Sequence, residues 1–209
     1  MKLQLALGDI TLEDAVKLVG EVQDDIDIVE IGTPMVIEYG MEPVRVMKEK
    51  YPHLEILADL KIMDAGYYEA KEALEAGASY VTVLGVTDNL TIKGCVDAAK
   101  DYHAKVVVDM ICVENMEERI RKVEEIGVDF VSVHVGVDQQ AAGRTPLDDL
   151  KVMKSCTKQA GVSVAGGISV ETIQTYKDLQ PDIIIVGSGI THSHDPKLAA
   201  QDLAKAMRG

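Results

Sequence analysis

At 209 residues, with 35 Asp and Glu against 21 Lys and Arg, the chain carries a net charge of −14. Nucleic acid and acidic membrane surfaces are therefore poor partners, because binding phosphate needs a basic footprint, and no stretch approaches the ~20 apolar residues of a membrane-spanning helix. Aromatics amount to seven Tyr, one Phe and no Trp, so the core has to be Val, Ile, Leu, Ala and Met, the usual filling of buried parallel strands.

In chain order, MKLQLALGDI has a polar residue inside its apolar run and no cleavable pattern behind it. It is expected to be a strand, Leu3–Leu7, and not a signal peptide. Seven further apolar runs follow, at Ile26–Ile31, Glu55–Leu60, Tyr80–Leu84, Lys105–Met110, Phe130–His134, Val162–Ala165 and Ile183–Val186. Their near-continuous Val and Ile content marks strands buried on both faces. Amphipathic helical segments alternate with them, at Thr11–Glu21, Glu42–Lys50, Tyr67–Glu75, Thr91–Lys100, Met116–Glu125, Leu147–Thr157, Val170–Lys177 and Pro196–Met207. Gly77, Gly127 and Gly161 stand where a left-handed helix cap is required. EAGASYVTV and EIGVDFVSV share one layout 50 residues apart, about the span of two strand–helix units. No linker or low-complexity tract divides the chain. The pattern predicts one α/β domain over 1–209, a compact (β/α)8 TIM barrel, in preference to a doubly wound open sheet. Cys95, Cys112 and Cys156 are unpaired by spacing and read as free thiols of a reducing cytosol.

In such barrels, chemistry sits at the C-terminal ends of the strands. Asp9 follows the first strand and Glu30 closes the second; Asp59, Lys61 and Asp64 cluster at the third. Asp109 ends the fifth and His134 the sixth, while Gly166-Gly167 and Gly187-Ser188-Gly189 follow the last two. Asp59 and Lys61 are two apart and face the same way on an extended chain. A Lys between carboxylates keeps its proton and acts as an electrostatic stabiliser or proton donor, not as a Schiff-base nucleophile. Glu30 and Asp59 on adjacent strands suit a shared hard cation such as Mg2+; a purely structural net of ion pairs is the bland alternative. Ala165 to Gly167 and Gly187 to Gly189 offer backbone N–H groups to an anion at the common phosphate site of these barrels. His134 is a candidate general acid/base. His192 and His194 read as loop residues capping the final helix with Asp195 and Pro196.

LQLAL, VEIGTP, ADLKIMDAG, VTVLG, VVVDMI, VHVGVDQQAAG, SVAGGI and VGSGIT together resemble the orotidine-phosphate decarboxylase superfamily over essentially the whole chain. The specific signature is D-x-K-x-x-D at Asp59, Lys61 and Asp64. Within the superfamily the likeness is to the 3-hexulose-6-phosphate synthases. It implies a cytoplasmic lyase, dependent on Mg2+ with Mn2+ as a substitute, that condenses formaldehyde with D-ribulose 5-phosphate or runs the reverse cleavage. It also implies a homodimer in which Asp64 reaches the partner's site. On this reading Lys61, Asp64, His134, Asp59 and Asp109 carry the catalysis, and Glu30 with Asp59 holds the metal. Asp9, Ala165, Gly166, Gly167, Gly187, Ser188 and Gly189 hold the sugar phosphate.

The alternative is a 3-keto-L-gulonate-6-phosphate decarboxylase, which shares the motif and the metal. Val137, Ala165, Ser188 and Asp109 stand where those enzymes carry Arg, Thr, Arg and Glu, and so point to the synthases. Two positions depart from the synthase pattern. Val135 replaces a frequent Thr, and the first-strand acid, expected at the position of Gly8, appears as Asp9. A one-residue slip reverses side-chain direction on a strand unless a bulge re-aims it. That displacement is the one feature favouring a third reading, a non-catalytic phosphosugar-binding barrel.

Overall fold

The structure, a computed structural model, describes residues 1–208. Eight parallel strands close in sequence order into a barrel: β1 (Lys2–Leu7), β2 (Ile28–Ile31), β3 (Glu55–Ile62), β4 (Tyr80–Leu84), β5 (Lys105–Asp109), β6 (Phe130–His134), β7 (Gly161–Ala165) and β8 (Ile183–Val186). The connecting helices are α1 (Leu12–Val22), α2 (Thr33–Tyr39), α3 (Glu42–Lys50), α4 (Gly66–Glu75), α5 (Asn89–Asp101), α6 (Met116–Ile126), α7 (Val137–Ala141), α8 (Leu147–Cys156), α9 (Ile173–Lys177), α10 (Ser188–Thr191) and α11 (Pro196–Arg208). This is the (β/α)8 architecture that the alternation of patterns predicts. Among the described residues, no helix is long and apolar enough to cross a membrane.

Local chemistry starts the helices. Thr11, Asp88 and Asn115 accept first-turn N–H groups of α1, α5 and α6 through their side chains, which satisfies donors that a helix cannot pair internally. Gly127 ends α6 in the left-handed conformation and Gly77 has φ +108°, as expected for both. Gly161 differs: it opens β7 with no positive φ, and a Cβ there would run into the Phe130 ring. Close approach, not a helix cap, requires that glycine.

The apolar side chains form two bodies, one between barrel and helices and a smaller one inside the barrel around Ile28, Leu57, Tyr80, Val107 and Ile183. Inside, the strand registers stack residues from alternate strands in layers. The floor holds Lys2, Glu55 and Lys105, with Lys2 ion-paired to Glu55 and the Tyr80 hydroxyl donating to Glu55 at 3.1 Å. Above the apolar layers comes a polar one, with Glu30, Thr82 and Ser132, and then the layer of Asp59 and Asp109. The polar layers therefore face the C-terminal mouth.

At the opposite end the 50-residue repeat finds its physical reason. The residue just before an even-numbered strand uses its side chain to accept the N–H that opens the odd-numbered strand before it. Asp27 accepts from Leu3, Asp129 from Val106 at 2.9 Å and Asp182 from Val162 at 2.7 Å, and Ser79 stands 3.4 Å from the Ile56 N–H. Ser79 and Asp129 occupy equivalent places in the two repeated segments.

Three departures from the expected elements lie at the mouth. β3 runs on to Ile62 through an irregularity between Ala58 and Ile62, with Lys61 at φ +48°. The short helices α2, α7 and α10 fill loops that have too few residues to show helical periodicity. The eighth-strand approach helix is confined to Ile173–Lys177, shorter than the pattern from Val170 suggests, because residues 166 to 172 turn over the mouth.

Helices α4 and α5 pack closely at Gly66, where a Cβ would strike the Thr91 carbonyl oxygen. Gly66→Ala is therefore expected to destabilise the fold by about 1–3 kcal/mol, the usual range for overpacking. Urea unfolding checks this; a variant as stable as the parent would show that the two helices separate freely.

Candidate active site

The charged ends of β3, β5 and β6 meet in one connected group. Asp59 is buried, and each of its oxygens is engaged. Oδ1 accepts from the Thr82 hydroxyl at 2.8 Å, while Oδ2 accepts from the Thr33 hydroxyl at 2.8 Å and from Lys61 Nζ at 2.5 Å. Lys61 Nζ also lies 3.6 Å from Asp109 Oδ2. That same oxygen pairs with His134 Nδ1 at 2.7 Å, and Asp109 Oδ1 accepts the Ile111 N–H at 2.9 Å. Asp59, Lys61, Asp109 and His134 thus form a chain of alternating charge. Glu30 stands beside it on β2 and accepts from Gln4 Nε2 at 2.5 Å.

Burial and neighbours set the protonation of each member. Burial pulls the Lys61 ammonium down, but Asp59, Asp109 and Glu30 outweigh it and hold the pKa above its ordinary value. For Asp109, burial favours the neutral form, yet His134, Lys61 and the Ile111 N–H keep it below the usual carboxylate range. Burial likewise opposes the imidazolium of His134, and the Asp109 partnership overcomes it to raise the pKa above 6.5. Glu30 goes the other way: burial first, and then the charge of Asp59, push it up to about 7.

Glu30 and Asp59 are the hard-oxygen pair that a divalent cation would find here. Among the described residues, no cluster of three or more His, Cys, Asp or Glu has metal-holding geometry. A pair of carboxylates suits Mg2+, which keeps waters and takes substrate oxygens to complete its shell. The mutual repulsion of Glu30 and Asp59 is a further fit, since a cation between them would relieve it.

The remaining predicted residues fall at the rim. Asp64 is exposed on the loop after β3; its side chain accepts the Ala65 N–H at 2.7 Å and forms no ion pair with Lys61 of its own chain. Asp9 is exposed too and pairs with His192 Nε2 at 2.9 Å, so it stands outside the Lys61 group. The expectation that His192 caps the last helix is corrected by this pair. Asp195 alone does the capping, accepting the Leu198 N–H at 3.0 Å. The two glycine segments do come together: Gly166 and Gly167 have φ of +128° and +65°, and a Cβ on Gly189 would meet the Ile168 carbonyl oxygen at 2.5 Å. Both segments reach the mouth; in α10 the Gly187 carbonyl takes the Ile190 and Thr191 N–H groups at 2.9 and 3.0 Å, which leaves those of Ser188 and Gly189 as candidate anion donors.

A model of the Orotidine 5'-phosphate decarboxylase / HUMPS family matches residues 1–203. The chain belongs to that family. Among its relatives, 3-hexulose-6-phosphate synthase of Bacillus subtilis (strain 168) is 48% identical over 207 residues, covering 99% of either chain. The crystal structure of 3-hexulose-6-phosphate synthase from Salmonella typhimurium superposes with a TM-score of 0.98 at 51% identity, covering 100% of this chain and 99% of that one. A crystal structure of KGPDC from Streptococcus mutans, solved as a ligand complex, gives a TM-score of 0.92 at 27% identity, covering 99% and 97%.

Three residues of this family member's site escape the sequence reading: Gln4, Thr33 and Thr82. Gln4 and Thr82 each carry a signal, a polar residue at an inward position of an otherwise apolar strand. Thr33 carries none, because Gly-Thr-Pro reads equally well as a turn.

The His134–Asp109 pair also makes stability depend on pH. A His whose pKa is raised on folding stabilises fully below its unfolded value of 6.5, and the contribution is lost as pH rises through the folded value. His134→Asn is expected to be less stable than the parent by on the order of 1–2 kcal/mol in mild acid, with the gap narrowing in alkali. Urea unfolding across pH 5.5 to 9 measures it (roughly the span that titrates His). A gap constant over that span would contradict the pairing.

Proposed function

We propose that this chain is a lyase of the 3-hexulose-6-phosphate synthase type, joining formaldehyde to D-ribulose 5-phosphate to give D-arabino-3-hexulose 6-phosphate, reversibly. The observation that carries this reading is Lys61 Nζ held between Asp59 and Asp109, with His134 on the same Asp109 oxygen. A fixed cation with a proton carrier next to it is what the developing charge of an enediolate calls for. The identity to synthases of Bacillus subtilis and Salmonella typhimurium supports the substrate class.

Glu30 and Asp59 would hold Mg2+, with Mn2+ as a substitute; when bound, such a cation supplies Lewis acidity toward the ketose oxygens. The protein's own groups do the rest. Ala165, Gly166 and Gly167 with Gly187, Ser188 and Gly189 bind the phosphate, so that remote binding energy positions the reacting end. His134 donates Nδ1–H to Asp109, which leaves Nε2 to take the proton from C1 of the ketose. The C–H electron pair passes into the enediolate, beside the Lys61 ammonium. The enediolate carbon then attacks formaldehyde, the carbonyl π pair moves to oxygen, and His134 returns its proton to that oxygen.

The same site would support decarboxylation of 3-keto-L-gulonate 6-phosphate, a reading favoured by the KGPDC neighbour. Val137, exposed at the start of α7, stands against it where the decarboxylases carry Arg. We also propose a homodimer formed over the loops after β2, β3 and β4. Ile37, Met63, Tyr68, Val86 and Leu90 are exposed on those loops and the helices that follow them, and large apolar side chains left in water suit an interaction site. Asp64 then acts in the partner's mouth.

Ribulose 5-phosphate and formaldehyde are expected to be consumed together in the presence of Mg2+, and consumption to stop on chelation. Lys61→Ala should lower kcat on the order of a hundredfold or more. Release of CO2 from 3-keto-L-gulonate 6-phosphate without formaldehyde fixation would select the decarboxylase, and binding without turnover a mere receptor. For the dimer, Lys61→Ala and Asp64→Ala proteins, each inactive alone, should regain activity when mixed under exchanging conditions. No recovery in mixtures that do exchange subunits would place Asp64 outside the partner's site.

A further inference from the structure

Lys61 has φ +48°, a left-handed conformation that a Lys rarely adopts and that the surroundings have to enforce. It occurs where the β3–β4 pairing jumps from Ala58↔Val81 to Ile62↔Val83, so that Asp59, Leu60 and Lys61 face the single residue Thr82. In a regular parallel ladder the Lys61 N–H would bond to the β4 backbone. Here it bonds instead to the Thr82 hydroxyl oxygen at 2.9 Å, and that hydroxyl donates its proton to Asp59 Oδ1 at 2.8 Å. One buried hydroxyl thus holds the backbone of the Lys and the carboxylate of the Asp together. Thr33 meets Asp59 but not the Lys61 backbone.

We infer that Thr82 is a positioning residue for the D-x-K segment: its hydroxyl replaces a strand–strand hydrogen bond, and so keeps Lys61 in the left-handed bulge from which Nζ reaches both Asp59 and Asp109. This rests on the reading of Lys61 as the stabilising cation of the proposed reaction. Valine keeps the branched shape but deletes the hydroxyl, which orphans the Lys61 N–H and frees Asp59 Oδ1. Serine keeps the hydroxyl. Because the interaction orients groups and does not bind substrate, its loss belongs in kcat and not in KM.

The test compares the parent with Thr82→Val and Thr82→Ser, by steady-state kinetics of formaldehyde-dependent ribulose 5-phosphate consumption, thermal unfolding and crystal structures. For Thr82→Val, kcat is expected to fall by roughly tenfold to a hundredfold, with KM for ribulose 5-phosphate changed less than about threefold. Thr82→Ser should stay within about threefold of the parent in both. Crystals of Thr82→Val should show Lys61 out of the left-handed region and Nζ away from Asp109. The inference is overturned if Thr82→Val keeps the parent's kcat, or if serine and valine are equally impaired and equally unstable. It is also overturned if Lys61 retains its conformation and both contacts in the valine protein. Were the parent itself to fix no formaldehyde, the activity reading would fail separately, and the crystal comparison alone would decide the positioning role.

Discussion

Keeping one ammonium group charged where the barrel draws it out of water is the constraint around which this site is organised. Lys61 loses hydration when its side chain is drawn down to 27% exposure, and desolvation alone would favour the neutral amine. Asp59 and Asp109 reverse that preference, but each is itself buried and needs donors of its own. Thr33 and Thr82 satisfy Asp59; His134 and the Ile111 N–H satisfy Asp109. Each partner is recruited because the previous one carries a charge that burial penalises. The group therefore behaves as a unit, and removing any member leaves a buried charge exposed to that penalty.

The net charge of −14 divides along the same lines. Much of it is helix-face solvation, such as the exposed Glu13–Lys17 and Glu118–Lys122 pairs, which are worth little individually. A second share is architectural. Asp27, Asp129 and Asp182 accept opening N–H groups of β1, β5 and β7, and Glu124 accepts the Lys158, Gln159 and Ala160 N–H groups that lead into β7. The third share, Glu30, Asp59 and Asp109, faces the mouth. This last share, with the exposed Asp64 proposed to act across the dimer, bears on the proposed chemistry, in which an acidic protein takes an anionic sugar phosphate. The contradiction is resolved locally, by Lys61, by backbone N–H groups at the two glycine segments and by the cation that Glu30 and Asp59 would hold.

Eight strand–helix units, and with them the barrel, are legible in the order of apolar runs because every strand is buried on both faces and so written in Val and Ile. The candidate acids and the Lys are legible as well, since a charge interrupts such a run only where the chain leaves the core. The hydroxyls and the amide that hold them are far less so. Thr is common in strands for reasons of packing alone, so the signal of Thr82, a polar residue at an inward position of YVTVL, is weak beside that of a charge. Asp9 illustrates the opposite difficulty. Its place beside a strand end suggested the mouth, while the chain had already turned outward to set it against His192.

By itself, then, the sequence determined the closed parallel barrel and the residue types that gather at its C-terminal end, because strand burial and helix amphipathicity are written in runs of neighbouring residues. Which of those residues meet was decided by the tertiary structure. Asp59 and Thr82 are 23 residues apart, and Asp109 and His134 are 25 apart. Only barrel closure, with one irregular step in the β3–β4 register, brings their side chains within bonding distance. The left-handed Lys61 belongs to that step, and no pattern of neighbouring residues encodes a conformation that exists because a residue 21 positions later, on the next strand, supplies the hydrogen bond.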